Sequence, residues 1–156
     1  MNFKDLHNAI CTTLKREISS IQTCEIYPAI RKELVAPALF VELVSLESGK
    51  DPGTEELALK ARFEARIVVD GTVEDSSLVV RSLAAEVARV VNKNTWEKNV
   101  SPAEFLSAEP DGFRPELDAY LVWMVDWSHQ LHLGKSIWTE NKIKPHTIII
   151  EENVRE

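Results

Sequence analysis

Residues 120–133 read Tyr120-Leu-Val-Trp-Met-Val-Asp-Trp-Ser-His-Gln-Leu-His-Leu133. The odd positions are Leu121, Trp123, Val125, Trp127, His129, Leu131 and Leu133. The even ones are Tyr120, Val122, Met124, Asp126, Ser128, Gln130 and His132. Side chains on a strand alternate faces, so the pattern predicts one long β-strand with a nearly all-apolar face and a mixed second face. It exceeds the usual strand of about 5–6 residues, which suits a sheet that serves as a platform.

Upstream, 57–69 alternates in the same way. Leu57, Leu59, Ala61, Phe63, Ala65, Ile67 and Val69 point to one side, and Lys60, Arg62, Glu64 and Arg66 to the other. A strand at 38–46 follows Pro37, and the turn-rich stretch 48–56 joins the two. Together they predict a long antiparallel hairpin with a mobile tip. Ile26 and Tyr27 form a short strand stopped by Pro28, 29–36 reads as an exposed loop, and Phe105 and Leu106 start another short strand before a Pro/Gly turn at 109–115.

Two segments carry a helical period instead. Phe3, Leu6, Ile10, Leu14 and Ile18 recur at spacings of three and four over 3–20, behind Asn2 as a cap. Val79, Leu83, Val87, Val90 and Val91 form a second stripe running to about Lys93, with Asp75 or Ser76 available as its cap. Trp96 lies in a polar loop and is expected to pack back. Trp123, Trp127, Phe63 and Phe40 read as core. Glycines and prolines all fall in breaks between these segments, so punctuation and periodicity agree. The fold class is α+β: an antiparallel or mixed sheet with a long hairpin, covered by two helices, in a single domain over 1–134.

Residues 135–156 differ in kind and read as a C-terminal extension or arm. Ile148, Ile149 and Ile150 are consecutive, so as a strand they need cover on both faces, which a partner subunit could give. Trp138 lies beyond the sheet and is an interface candidate.

The chain's 156 residues suit one domain, and a net charge of −7 argues against binding nucleic acid through phosphate neutralisation. An acidic wall is compatible with a DNA conduit. There is no secretory leader pattern after Met1 and no stretch of about 20 apolar residues, which points to the cytoplasm. Two cysteines, Cys11 and Cys24, do not make a disulfide framework; Cys11 reads as a small core residue and Cys24 as the start of an apolar run.

Catalytic signatures are missing. Gly134-Lys135-Ser136 lacks the upstream glycine of a phosphate loop. His129 and His132 fall on opposite strand faces and cannot share a metal, which predicts one histidine in the core and one at the surface. Asp126, Ser128 and His132 share a face, yet neighbours there stand about 7 Å apart, too far for a nucleophilic triad. Asp126 is better placed to pair with Arg62 or Arg66 across the sheet. The sequence predicts no catalytic, cofactor or metal site, and leaves Asp126, His129 and His132 as the residues an enzyme would have to use.

Several stretches carry a family resemblance: IYPAI (26–30), APALFVELVSLESGKDPGTEELALKARFEARIVV (36–69), SSLVVRSLAAEVARVVN (76–92) and LDAYLVWMVDWSHQLHLG (117–134). In order and length these segments resemble the tail terminator, or tail completion, proteins of long-tailed phages and phage-derived contractile particles. The resemblance covers 1 to about 134 and rests on pattern, without a signature motif.

The resemblance implies a homo-oligomeric ring, expected to be a hexamer, that caps the finished tail tube and joins it to the neck. Its partners would be further copies of the chain, the tube protein and a neck or head-completion protein, with DNA passing through the ring. It would be made in the host cytoplasm and end in a virion tail or tail-like particle. It implies no enzyme, cofactor, membrane or sequence-specific nucleic acid. Lys60, Arg62, Glu64, Arg66, Trp138, Ile148, Ile149 and Ile150 are then candidate subunit contacts. Gly49, Lys50, Asp51, Gly53 and Glu55 form a candidate tube-docking loop. The competing reading is a small non-enzymatic adaptor that docks one protein partner through its sheet face.

Overall fold

A computed structural model describes residues 2–26, 34–111 and 119–135. Its elements in chain order are α1 (Phe3–Glu17), β1 (Thr23–Ile26), β2 (Ala38–Ser48), β3 (Leu57–Asp70), α2 (Ser76–Val91), β4 (Glu104–Pro110) and β5 (Tyr120–Leu133). The strands form one sheet in the order β1-β2-β3-β5-β4. β1 runs parallel to β2 and all other pairs are antiparallel, so the sheet is mixed.

The alternation of β3 and β5 is realised residue for residue. Phe63 lies opposite Trp127, Ala65 opposite Val125 and Ile67 opposite Trp123, all on the inner face toward the helices. α1 buries Leu6, Ile10 and Leu14 against this face, and α2 buries Val80, Leu83, Ala84, Val87, Val90 and Val91. The core therefore lies in one layer between sheet and helices. Phe63 and Trp127 stack within it at 5.7 Å between centroids and 12° between planes. Trp123 is half-buried. The Arg81 guanidinium lies 5.3 Å from its ring centroid, a distance at which the ring face attracts a cation.

Several expectations need correction. α1 ends at Glu17, short of residue 20, with Ile18 as its C-cap. β1 begins at Thr23, earlier than expected, and Tyr27 lies outside the described residues. β4 runs through Pro110, taking in the start of the expected turn. Asn2 does cap α1, its side chain accepting from Lys4 N at 2.9 Å and Asp5 N at 3.3 Å. Asp75 stands at the start of α2 but makes no side-chain cap bond and sits at φ 54. Ser76 Oγ instead donates to the Gly71 carbonyl at 3.3 Å.

Phe40 is buried, but on the outer face, where it joins Ala38, Val68 and Val122 in a second, small apolar cluster. The register explains this: Phe40 lies opposite Arg66, and Ala38 opposite Val68. Cys11 and Cys24 are joined in a disulfide that ties α1 to β1, with Cα atoms 5.5 Å apart. Read apart, the two cysteines gave no sign of it, because the pairing depends on α1 folding back over the first strand.

A bulge between Leu43 and Ser45 adds Val44 to β2 without a partner. It restores the alternation so that Leu46, like Ala61 opposite it, faces the inner side. Beyond that row the hairpin extends past its helical cover. Leu46 and Leu57 are 47% and 58% exposed, and Leu59 and Leu133 are half-buried beside them.

Candidate interaction surfaces of the sheet

The outer face of the sheet carries the charged residues that the sequence singles out. Lys60 is half-buried, opposite Glu47 on β2 and Gln130 on β5. Arg62 is exposed and donates to Asp126 Oδ2 at 2.8 Å, the cross-strand pair that the alternation anticipates. The Asp126 hydrogen bond holds the Arg62 guanidinium above its ordinary pKa.

Glu64 and Arg66 are buried. Arg66 donates from Nε to Asp111 at 3.0 Å and from Nη1 to Glu42 at 2.9 Å, and its Nη2 lies 3.8 Å from Glu64 Oε2. Burial alone would lower the Arg66 pKa, but the bonds to Asp111 and Glu42 and the Glu64 charge carry it upward. Glu64 moves upward because it is desolvated, and the arginines only partly offset that. Of these four residues of β3, then, Lys60 and Arg62 face outward while Glu64 and Arg66 are held within the chain.

The hairpin tip holds the candidate docking loop. Gly49 N donates to the Ala58 carbonyl at 2.9 Å, closing the base of the loop. Asp51 accepts from Gly53 N at 2.8 Å, with Gly53 at φ 72 and Glu55 at φ 65. A shallow groove runs beside Gly49, Lys50 and Asp51 and is bordered by Gln130 and His132 of β5. The projecting end of the β2–β3 hairpin, from Leu46 to Leu57, forms a hairpin arm, and the exposed Leu46 and Leu57 lie on its inner face. Trp138, Ile148, Ile149 and Ile150 lie outside the described residues.

On the inner face, His129 is a hub. Its Nδ1 donates to the Ser101 carbonyl at 2.7 Å. In the neutral ring that leaves Nε2 as an acceptor. That nitrogen receives the indole N–H of Trp96 at 2.9 Å and that of Trp127 at 3.2 Å. Asn94 sets this up: its side chain accepts from Trp96 N at 2.8 Å and turns the loop back onto the sheet. His132 is exposed on the other face. The sequence supplied the two faces, and Trp96 packing back, but not the bond between Trp96 and His129, since its partners are 33 residues apart.

The three residues left for an enzyme do not converge. His129 is on the inner face, whereas Asp126 and His132 are on the outer one. Those two stand six positions apart, a span of about 20 Å along a strand. Among the described residues no group of three or more His, Cys, Asp or Glu is arranged to hold a metal ion. No described helix is long and apolar enough to cross a membrane.

The geometry defines an α+β domain whose sheet has a helix-covered inner face, a charged outer face and an arm with exposed leucines. No protein-family model matches the chain. No curated protein matches it either. The fold is similar to that of a chain in a solved structure described as the virion of a native gene transfer agent (GTA) particle. The identity is 11% and the TM-score 0.56, over 82% of this chain and 95% of that one. At this identity the likeness is one of fold.

Proposed function

We propose that this chain is a structural component of a phage-like particle that forms a ring at the end of the tail tube and joins it to the neck. The observation that carries the reading is the arm. Two leucines about half exposed, on a hairpin that runs past its helices, offer apolar surface to a partner. The fold likeness to a virion chain supports the particle context, since it extends over 95% of that chain. The segment order that resembles tail terminators supports the ring.

In this reading Gly49, Lys50, Asp51, Gly53 and Glu55 dock on the tube together with Leu46 and Leu57. Lys60 and Arg62 face the neighbouring copy, and Trp138 and Ile148–Ile150 add contacts across a head-to-tail interface that closes into a ring. The chain works by assembly and not by catalysis. DNA passes through the ring without sequence-specific contact.

The test is solution mass together with electron microscopy of the chain alone and mixed with purified tail tubes. Rings in solution, or rings on tube ends, are the expected result. A monomer that leaves tube ends bare would overturn the proposal. A monomer that binds one protein partner in a simple pair would favour the adaptor.

A further inference from the structure

We infer that Glu64 and Asp126 share a single proton, so that a carboxylic acid on β3 donates to a carboxylate on β5 across the outer face of the sheet. The inference does not depend on the ring reading. It begins with register. Glu42, Glu64 and Asp126 lie directly opposite one another on β2, β3 and β5, in one row that Ser107 of β4 completes. Directly opposed residues bring their Cβ atoms to about 4.5–5.5 Å, so these carboxylates are neighbours.

Burial sharpens the problem. The Glu64 side chain is 11% exposed and that of Asp126 6%. Glu64 Oε2 and Asp126 Oδ1 are both buried without a hydrogen-bond partner. Buried polar atoms are rarely left so, and two ionised carboxylates offer acceptors only.

The nearby cations do not resolve it. Arg62 is engaged with the other oxygen of Asp126, Oδ2. Arg66 directs its hydrogen bonds to Glu42 and Asp111. Its Nη2 stands 3.8 Å from Glu64 Oε2, beyond hydrogen-bond reach. From β4, Glu104 and Glu109 flank Ser107 and add only negative charge on that side. One proton on the row converts an orphan acceptor into a donor and satisfies both atoms at once.

The proton belongs on Glu64. Asp126 accepts a hydrogen bond from Arg62, and Glu64 accepts none from either arginine. Desolvation pushes the Glu64 carboxyl upward; Arg66 and Arg62 oppose the shift, while the charges of Asp126 and Glu42 add to it. A carboxyl held protonated in the fold binds its proton more tightly than in the unfolded chain. Its stabilisation is complete at low pH and is lost as pH climbs from the ordinary carboxylate value through the raised one. Release of the proton places three adjacent negative charges across the sheet.

The test is a carbon-detected NMR titration of the full-length chain, with side-chain carboxyls assigned by through-bond experiments so that no variant is required. Glu64 is expected to titrate above the ordinary glutamate value of about 4.3, and the Asp126 carboxyl carbon, as the acceptor of its proton, to report that Glu64 step as an inflection in chemical shift. Glu64→Gln, whose amide can donate to Asp126, should remove that inflection. Relative to the wild type, it should also remove a fall in urea midpoint on going upward in pH. A Glu64 carboxyl that titrates at or below the ordinary value, or an Asp126 resonance blind to the Glu64 step, overturns the inference.

Discussion

The Trp96 indole donates to His129 Nε2 at 2.9 Å, and this bond pins the loop after α2 onto the inner face of β5. The same nitrogen accepts from Trp127, and the opposite ring nitrogen donates to Ser101. His129→Leu keeps the bulk but orphans two buried indole donors and one carbonyl. Each unsatisfied group costs about 1–3 kcal/mol, less whatever water can recover, so a loss of about 2–4 kcal/mol is expected. Chemical denaturation with an unchanged slope measures it. A variant as stable as wild type would show that the bonds contribute nothing net.

The same histidine sets an acid limit. Burial lowers its pKa, against the Ser101 carbonyl, which raises it. The unfolded chain therefore takes up a proton at higher pH than the folded one does. The His129 contribution is complete above the unfolded value of about 6.5 and is lost as pH falls through the folded value. Urea midpoints of wild type and His129→Leu, measured from about pH 7.5 down to about pH 5, should converge on the acid side. The difference between the two proteins isolates this group from Glu64, whose contribution has the opposite sign. Curves that stay parallel would refute the assignment.

Arg66 and Arg62 look alike in the sequence, four residues apart on one face, yet they should respond differently to alanine. The Arg66 side chain is 6% exposed and bonded to Glu42 and Asp111. Removing it breaks two charge-assisted hydrogen bonds to the half-buried Glu42 and Asp111, with an expected loss of about 3–5 kcal/mol. The Arg62 side chain is 44% exposed. Its single bond is to Asp126, whose side chain is 6% exposed, so Arg62→Ala leaves one more buried carboxylate oxygen without a donor and should cost about 1–3 kcal/mol, less than Arg66→Ala. Equal effects in a denaturation series would show that burial does not separate them.

This contrast also marks how far the sequence could be read. Period-two order in 57–69 and 120–133 places each side chain on its face, because one face must be apolar to be covered. It carries no depth along the outer face, so Lys60, Arg62, Glu64 and Arg66 read as one charged stripe. Only the register reveals that Glu64 sits between Glu42 and Asp126. The parallel pairing of Thr23–Ile26, the extra Val44 and the Cys11–Cys24 bond were hidden for a related reason. Each depends on which distant segment arrives alongside, and local periodicity does not encode that. Of the candidate contacts, the arm was legible as a turn-rich break, but its exposed leucines were not, since they fit the apolar face and lack cover only because the helices end.

Gly49 closes the base of the arm, where its position leaves little room. A Cβ there would lie 3.1 Å from the backbone carbonyl carbons of Ala58 and Leu59 and 3.1 Å from Gln130 Oε1. Gln130 can swing away, but the β3 backbone must shift. Gly49→Ala should destabilise by about 1–2 kcal/mol through overpacking. Amide exchange should quicken at Gly49, which donates to Ala58. Unchanged exchange there would mean that the arm absorbs a methyl group freely.

The arm leucines separate assembly from folding. Leu57 is 58% exposed, so Leu57→Asp removes little buried area. Its effect on unfolding should stay within about 1 kcal/mol. Docked on a partner surface, the same side chain would contribute about 1.5–3 kcal/mol, so tube-end binding should weaken at least about tenfold. Leu78 is 64% exposed on α2, away from the arm, and Leu78→Asp serves as the control. Counting capped tube ends by electron microscopy against protein concentration reads both. Loss of capping with Leu57→Asp alone places the docking surface on the arm. Equal capping by both variants would remove the arm from the contact, and loss with Leu78→Asp alone would move the contact to α2.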